Sequence, residues 1–174
     1  MSNQLNHNEF KLIQKEFNPN IVLILENLEH EENIGSAFRL ADAFNVKKLY
    51  IVTNKLLNFK KIEKTARNCT TNIPFEISSS ITMVIKAIKE TNYTPIAVEI
   101  CDDSIPLRSC NFAKFNGIAL IVGNEKHGVS QTALDNSTFA THIDMYGNNS
   151  SINVSTALAI ALYKCSEDYY TKIK

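Results

Sequence analysis

Three polar segments of this sequence place hydrogen-bonding and charged side chains at spacings that can serve chemistry. In the first, residues 26–39, Asn33 and Arg39 lie at the start of a helical pattern. Arg39 falls off the apolar Ile34/Phe38 face, so its guanidinium can meet an anion at the mouth of a sheet or pair with Asp42 or a nearby glutamate. The second, Ile121-Val122-Gly123-Asn124-Glu125-Lys126-His127-Gly128-Val129-Ser130, is a strand followed by a glycine-bounded polar loop and a helix start. Ligands of open α/β sheets collect beyond the carboxyl ends of such strands. Gly123, Gly128 and Ser130 also stand in register with a phosphate-binding loop, but Val129 occupies the place of its essential lysine. A nucleotide-binding module is therefore the alternative reading. The third, residues 143–155, gathers Asn148, Asn149, Ser150, Ser151 and Asn153, which offer hydrogen bonds without charge. Asn153 also suits a helix cap.

The elements that must position these residues follow from the hydrophobic pattern. Short β-branched runs alternate with helical stretches, which predicts an α/β fold with a mostly parallel sheet and helices on both faces. Strands are expected at Ile21–Glu26, Lys48–Val52, Ile73–Ile77, Pro95–Ile100, Ile118–Val122 and near Thr141–Ile143. Asn33 is the expected cap of a helix burying Ile34, Ala37, Phe38 and Ala41. Ser80 caps another, with Met83, Ile85, Ala87 and Ile88 inward, and Ser130 opens a short third. A final helix from about Val154 to Tyr170 turns Val154, Ala157, Leu158, Ala161, Leu162 and Cys165 to the core.

At 174 residues and 44% hydrophobic, the chain suits one domain, residues 1–174, with residues 1–19 as a short N-terminal extension. The apolar runs are far shorter than the roughly 20 residues of a membrane helix. The polar start, Met1 to His7, lacks a secretory apolar region, so a cytoplasmic location is expected. Cysteines 69, 101, 110 and 165 form no Cys-x-x-Cys pair, and with the four histidines they complete no metal-ligand spacing. Reduced thiols and no metal are expected; a Cys101–Cys110 disulfide stays open, with a reducing cytosol against it. Net charge is zero, yet residues 46–68 hold seven cations, Lys60, Lys61, Lys64 and Arg67 among them, against the single acid Glu63. Such a run is either a solvated face or a surface for nucleic-acid phosphates.

Taken together and in order, the three segments resemble the motifs of the SpoU (TrmH-like) branch of the SPOUT methyltransferases. The likeness reads Asn33-x-Gly35-x-x-x-Arg39, then Ile121-Val122-Gly123-x-Glu125-x-x-Gly128-Val129-Ser130, then Met145-x-Gly147-x-x-x-Ser151-Ile152-Asn153-Val154-Ser155. Asp144 stands where the family usually has proline, Asn124 where a small residue is common, and Ile152 where leucine is typical.

The resemblance implies a C-terminal trefoil knot, an exception to the usual unknotted chain, and a homodimer whose active site is completed across the interface. It implies S-adenosyl-L-methionine held around Val98, Glu99, Gly123, Asn124, Ile143, Met145, Ser151 and Ile152. The activity implied is transfer of a methyl group to a ribose 2′-hydroxyl of structured RNA, tRNA first and rRNA next. Asn33, Glu125, Ser151 and Asn153 are then the positioning set and Arg39 the residue that activates the hydroxyl. A guanidinium with pKa above about 12 is a poor proton acceptor, so Arg39 suits stabilisation of a developing alkoxide and a clamp on the neighbouring phosphate. With the whole set present, a catalytically silent RNA-binding relative is the weaker reading.

Overall fold

The computed structural model describes residues 4–6 and 17–172, so most of the expected N-terminal extension lies outside the described residues. Seven strands form one sheet: β1 (Ile21–Glu26), β2 (Lys48–Val52), β3 (Phe75–Ser78), β4 (Thr94–Val98), β5 (Ile105–Pro106), β6 (Ile118–Val122) and β7 (Phe139–His142). Their order is β3-β2-β1-β6-β4-β7-β5, and every pairing is parallel. The helices among the described residues are α1 (Glu31–Ala43), α2 (Phe59–Ala66), α3 (Ile81–Glu90), α4 (Gln131–Asn136) and α5 (Val154–Lys172).

β1 and β6 are buried along their whole length, which is why both read as unbroken apolar runs. Successive side chains of β1 serve two cores. Ile21, Leu23 and Leu25 pack with Phe38 of α1 and Leu158 and Leu162 of α5. Val22 and Ile24 pack with Val84, Ile85 and Ile88 of α3 and Ala133 of α4. Helices thus cover both faces, as expected, and the carboxyl ends of β1, β6, β4 and β7 lie side by side.

Several local expectations are corrected. α1 begins two residues before Asn33, and the residue preceding it, His30, offers no side-chain cap. A carboxylate from a distant loop does that work, as described below. In α3, Val84 is buried in place of Met83 and Ala87, both of which face solvent. β3 starts at Phe75, with Ile73 buried ahead of it, and β4 ends at Val98. The basic stretch contains α2, which the hydrophobic pattern did not mark: it is 8 residues long and buries only Ile62 and Ala66. Ser80 and Ser130 do cap α3 and α4, accepting from the amides of Met83 and Ala133. The four cysteines are free thiols, and no helix among the described residues is long and apolar enough to cross a membrane.

Candidate active site

A cleft of about 340 Å³ opens where the carboxyl ends of β4, β6 and β7 meet the start of α5. All eight residues expected around a cofactor line it. Val98 and Glu99 come from the end of β4, Gly123 and Asn124 follow β6, and Ile143, Met145, Ser151 and Ile152 follow β7. Glu125 and Asn153 line it too. Sequence reasoning missed Ile100, His142 and Lys126. For Ile100 and His142 the available signal was position alone, at or just past the ends of β4 and β7. His142 Nδ1 lies 2.9 Å from the Ser104 hydroxyl, which fixes the ring against the wall.

The loop after β6 is folded tightly on itself. The Asn124 amide donates to the Gly128 carbonyl at 3.0 Å and the Gly128 amide donates back at 2.8 Å. The Asn124 side-chain oxygen accepts from the amides of Lys126 and His127, while its Nδ2 donates to the Asn27 carbonyl. Glu99 accepts from the Val129 amide at 2.8 Å, and the buried Glu26 accepts from both the amide and the hydroxyl of Ser130. Glycines make this closure possible. A Cβ on Gly123 would lie 2.1 Å from the Gly128 backbone, and Gly128 itself sits at φ +68° with Glu99 pressed against it. The amides of residues 126–130 that would cradle a phosphate are therefore all engaged, two of them with carboxylates. Besides lacking the lysine, the loop thus offers none of the free amides that a phosphate cradle needs.

Glu125 ties the second segment to the first. Its carboxylate accepts from the Glu29 amide at 2.7 Å, the His30 amide at 3.2 Å and Asn33 Nδ2 at 2.7 Å. It thus satisfies amides at the entry to α1, beside the positive end of the helix dipole. Burial pushes the Glu125 carboxyl up, but the Glu29 amide, the Asn33 side chain and the His30 amide outweigh it and hold the group below its usual value of 4.5. Asn33 Oδ1 accepts from Asn153 Nδ2 at 3.2 Å, and Asn153 Oδ1 caps α5 by accepting from the Ser155 amide at 2.8 Å. Asn33, Glu125 and Asn153 therefore form one chain of hydrogen bonds at the cleft, with Ser151 beside it.

Arg39 stands apart from this group in the chain's own cleft. It is exposed and does not line the cleft. Six residues past Asn33, it lies about 9 Å farther along the helix and on a different side. Neither Asp42 nor a glutamate pairs with it among the described residues. What Gly35 does is also clear: a Cβ there would meet the Ile62 carbonyl at 2.5 Å and Thr65 Cβ at 2.7 Å, so α2 packs directly on the glycine. Lys60, Lys61, Lys64 and Arg67 are exposed on α2 and its end, beside α1. None of them forms an ion pair among the described residues. Glu63, the lone acid of this stretch, instead accepts from the Asn68 amide at 2.6 Å and from the Thr70 hydroxyl.

Known proteins resemble this chain in sequence and in fold. The tRNA (guanosine(18)-2′-O)-methyltransferase of Thermus thermophilus is 27% identical over 146 residues, covering 84% of this chain and 74% of that protein. The 23S rRNA (guanosine-2′-O-)-methyltransferase RlmB of Blochmanniella floridana is 24% identical over 145 residues, covering 83% and 56%. The chain spans 57% of the length of relatives from Staphylococcus saprophyticus and Staphylococcus haemolyticus that carry TrmH-family names. The fold matches the crystal structure of the A. aeolicus TrmH/SpoU tRNA modifying enzyme with a TM-score of 0.78 at 24% identity, over 88% of this chain and 77% of that one. It also matches AviRb of Streptomyces viridochromogenes in complex with AdoMet, with a TM-score of 0.79 at 18% identity, over 97% and 67%. Residues 20–163 match the family model for SpoU rRNA methylases, and the chain belongs to the SpoU rRNA methylase family.

Proposed function

We propose that the protein is an RNA (ribose-2′-O) methyltransferase that uses S-adenosyl-L-methionine and acts on structured RNA, tRNA ahead of rRNA. The observation that carries this reading is the convergence of all three motif segments on one cleft, joined through Asn33, Glu125 and Asn153. Relatives named for methylation of tRNA in one case and rRNA in the other support the substrate class.

The cleft suits the cofactor. Its volume falls within the range of about 300–1,000 Å³ usual for small-molecule sites. Val98, Ile100, Ile143, Met145 and Ile152 supply apolar walls, and no cluster of cations lines it, as a polyphosphate would require. When bound, S-adenosyl-L-methionine supplies an electrophilic methyl carbon that a ribose 2′-oxygen attacks in line as the neutral thioether departs. The chain's own part is to hold the ribose in near-attack geometry, stabilise the charge that grows on the 2′-oxygen, and let the proton leave to water or a phosphate oxygen. Asn33, Ser151 and Asn153 are the positioning groups. Glu125 acts through them by fixing the start of α1, since its carboxylate is engaged with that turn.

Arg39 is assigned to the alkoxide and the adjacent phosphate, and it reaches them in the cleft of a partner subunit. Its distance from its own cleft supports this, as do the exposed Ile160 and Tyr163, one turn apart on α5, which suit burial in a homodimer. The exposed α2 cations Lys60, Lys61, Lys64 and Arg67 are assigned to RNA phosphates. The reading takes the chain as one domain with a trefoil-threaded C-terminal segment and a cytoplasmic site of action. Isothermal titration against S-adenosylhomocysteine, with ATP and magnesium alongside, tests the cofactor assignment. Binding of the homocysteine compound alone, abolished by Ile152→Asp, supports it; binding of ATP alone overturns it.

A further inference from the structure

The segment between β7 and the Asn153 cap carries Met145, Ser151 and Ile152 into the cleft, yet it is sparsely held. Among the described residues, 144–150 make no hydrogen bond or ion pair except with one side chain, Arg108. Arg108 Nη1 lies 2.7 Å from Asp144 Oδ2 and donates to the Tyr146 hydroxyl at 2.7 Å. Asp144 and Tyr146 flank Met145, which lines the cleft. One guanidinium therefore holds the residues on both sides of a cleft-lining side chain. Its base is firm: Arg108 sits in a short 3-10 turn, Leu107–Ser109, next to the buried Leu107 and Cys110, and the Cys110 thiol lies 3.3 Å from the Thr141 hydroxyl of β7.

We propose that Arg108 is a positioning residue for the cofactor loop, and that its grip on Asp144 and Tyr146 replaces the backbone restraint that a proline at position 144 would supply. Proline narrows a loop by locking its own φ, whereas Asp144 leaves the backbone free and needs an external anchor. The anchor is half-exposed, with side-chain exposures of 62% for Arg108 and 23% for Asp144. It therefore contributes little to global stability and acts on the order of the loop it touches.

This inference rests on the methyltransferase reading for its ligand, so the test combines a ligand-free and a ligand-bound measurement on the full chain. Backbone NMR order parameters of residues 143–150 without ligand read the tether, and titration with S-adenosylhomocysteine reads its use. Arg108→Ala is expected to lower the order parameters of that segment and weaken binding by roughly three- to tenfold, with the unfolding midpoint and oligomeric state unchanged. Adding Asp144→Pro to Arg108→Ala is expected to recover most of the affinity. Unchanged order parameters or unchanged affinity in Arg108→Ala, or a double variant as weak as Arg108→Ala, overturns the proposal. Failure of the wild-type protein to bind S-adenosylhomocysteine counts against the methyltransferase reading instead, and the order parameters still decide the tether.

Discussion

Asn153 donates from Nδ2 to Oδ1 of Asn33 at 3.2 Å, across 120 positions of sequence, and Asn33 Nδ2 donates onward to Glu125 at 2.7 Å. Each asparagine thus spends its amide holding another element of the cleft, so the positioning set is one unit. Glu125→Ala leaves the Glu29 and His30 amides and Asn33 without their acceptor. The expected cost is about 1–3 kcal/mol in denaturant unfolding, together with loss of most methyl transfer. A variant of unchanged stability contradicts the anchoring role.

The same carboxylate sets a pH limit. Its hydrogen bonds favour the ionised form and place it below 4.5 in the fold. The stabilisation it gives is therefore complete above the ordinary glutamate value and is lost as pH falls through the lower folded value. Protection of the amides of residues 29–34 from hydrogen exchange, taken relative to their intrinsic rate at each pH, is expected to fall below about pH 4.5 in the wild type, and Glu125→Gln is expected to remove that acid loss of protection.

Gly35 holds α2 against α1. Gly35→Ala puts a methyl group 2.5 Å from the Ile62 carbonyl, so α2 must shift. The expected destabilisation is about 1–3 kcal/mol, as for overpacking elsewhere, with weaker RNA binding alongside. Retention of both in thermal melts and RNA titration argues that α2 is not seated through this residue.

The α2 cations make a separable prediction. Lys60→Glu with Lys64→Glu is expected to weaken RNA binding and lower the slope of affinity against salt by about 2, one for each phosphate that is no longer neutralised. Affinity for S-adenosylhomocysteine stays at the wild-type value, because neither residue lines the cleft.

Arg39 tests the shared site. Equal parts of Arg39→Ala and Ile152→Asp protein, each inactive alone, give after subunit exchange a heterodimer with one complete site if Arg39 serves the partner's cleft. About a quarter of wild-type activity is then expected for random pairing of two copies. If Arg39 serves its own cleft, no mixture is active.

Much of this was legible in the sequence, and the gaps have physical causes. β1 and β6 fall at the residues expected because burial on both faces writes nearly continuous apolar runs, and β2 does so because Leu49, Ile51 and Val52 are buried between the half-buried Lys48 and Tyr50. α2 escaped because a short charged helix with two buried positions carries almost no periodic signal. The cleft's cofactor residues followed from their place after the strands, but the work of its carboxylates did not. Glu26 meets Ser130 across 104 positions and Glu125 meets Asn33 across 92, so neither partnership leaves a local trace. Helix periodicity fixes the side of α1 that Arg39 occupies, away from the Ile34/Phe38 face, and Arg39 is exposed there, outside the cleft.

The central claim is tested most directly by incubating the protein with methyl-labelled S-adenosyl-L-methionine and total tRNA or rRNA, then digesting the RNA with alkali. A ribose 2′-O-methyl group blocks cleavage at the adjacent phosphodiester, so label in alkali-resistant dinucleotides, absent with Arg39→Ala, is the predicted result. Label in mononucleotides, which marks a methylated base, or no transfer by protein that binds S-adenosylhomocysteine, would contradict the account.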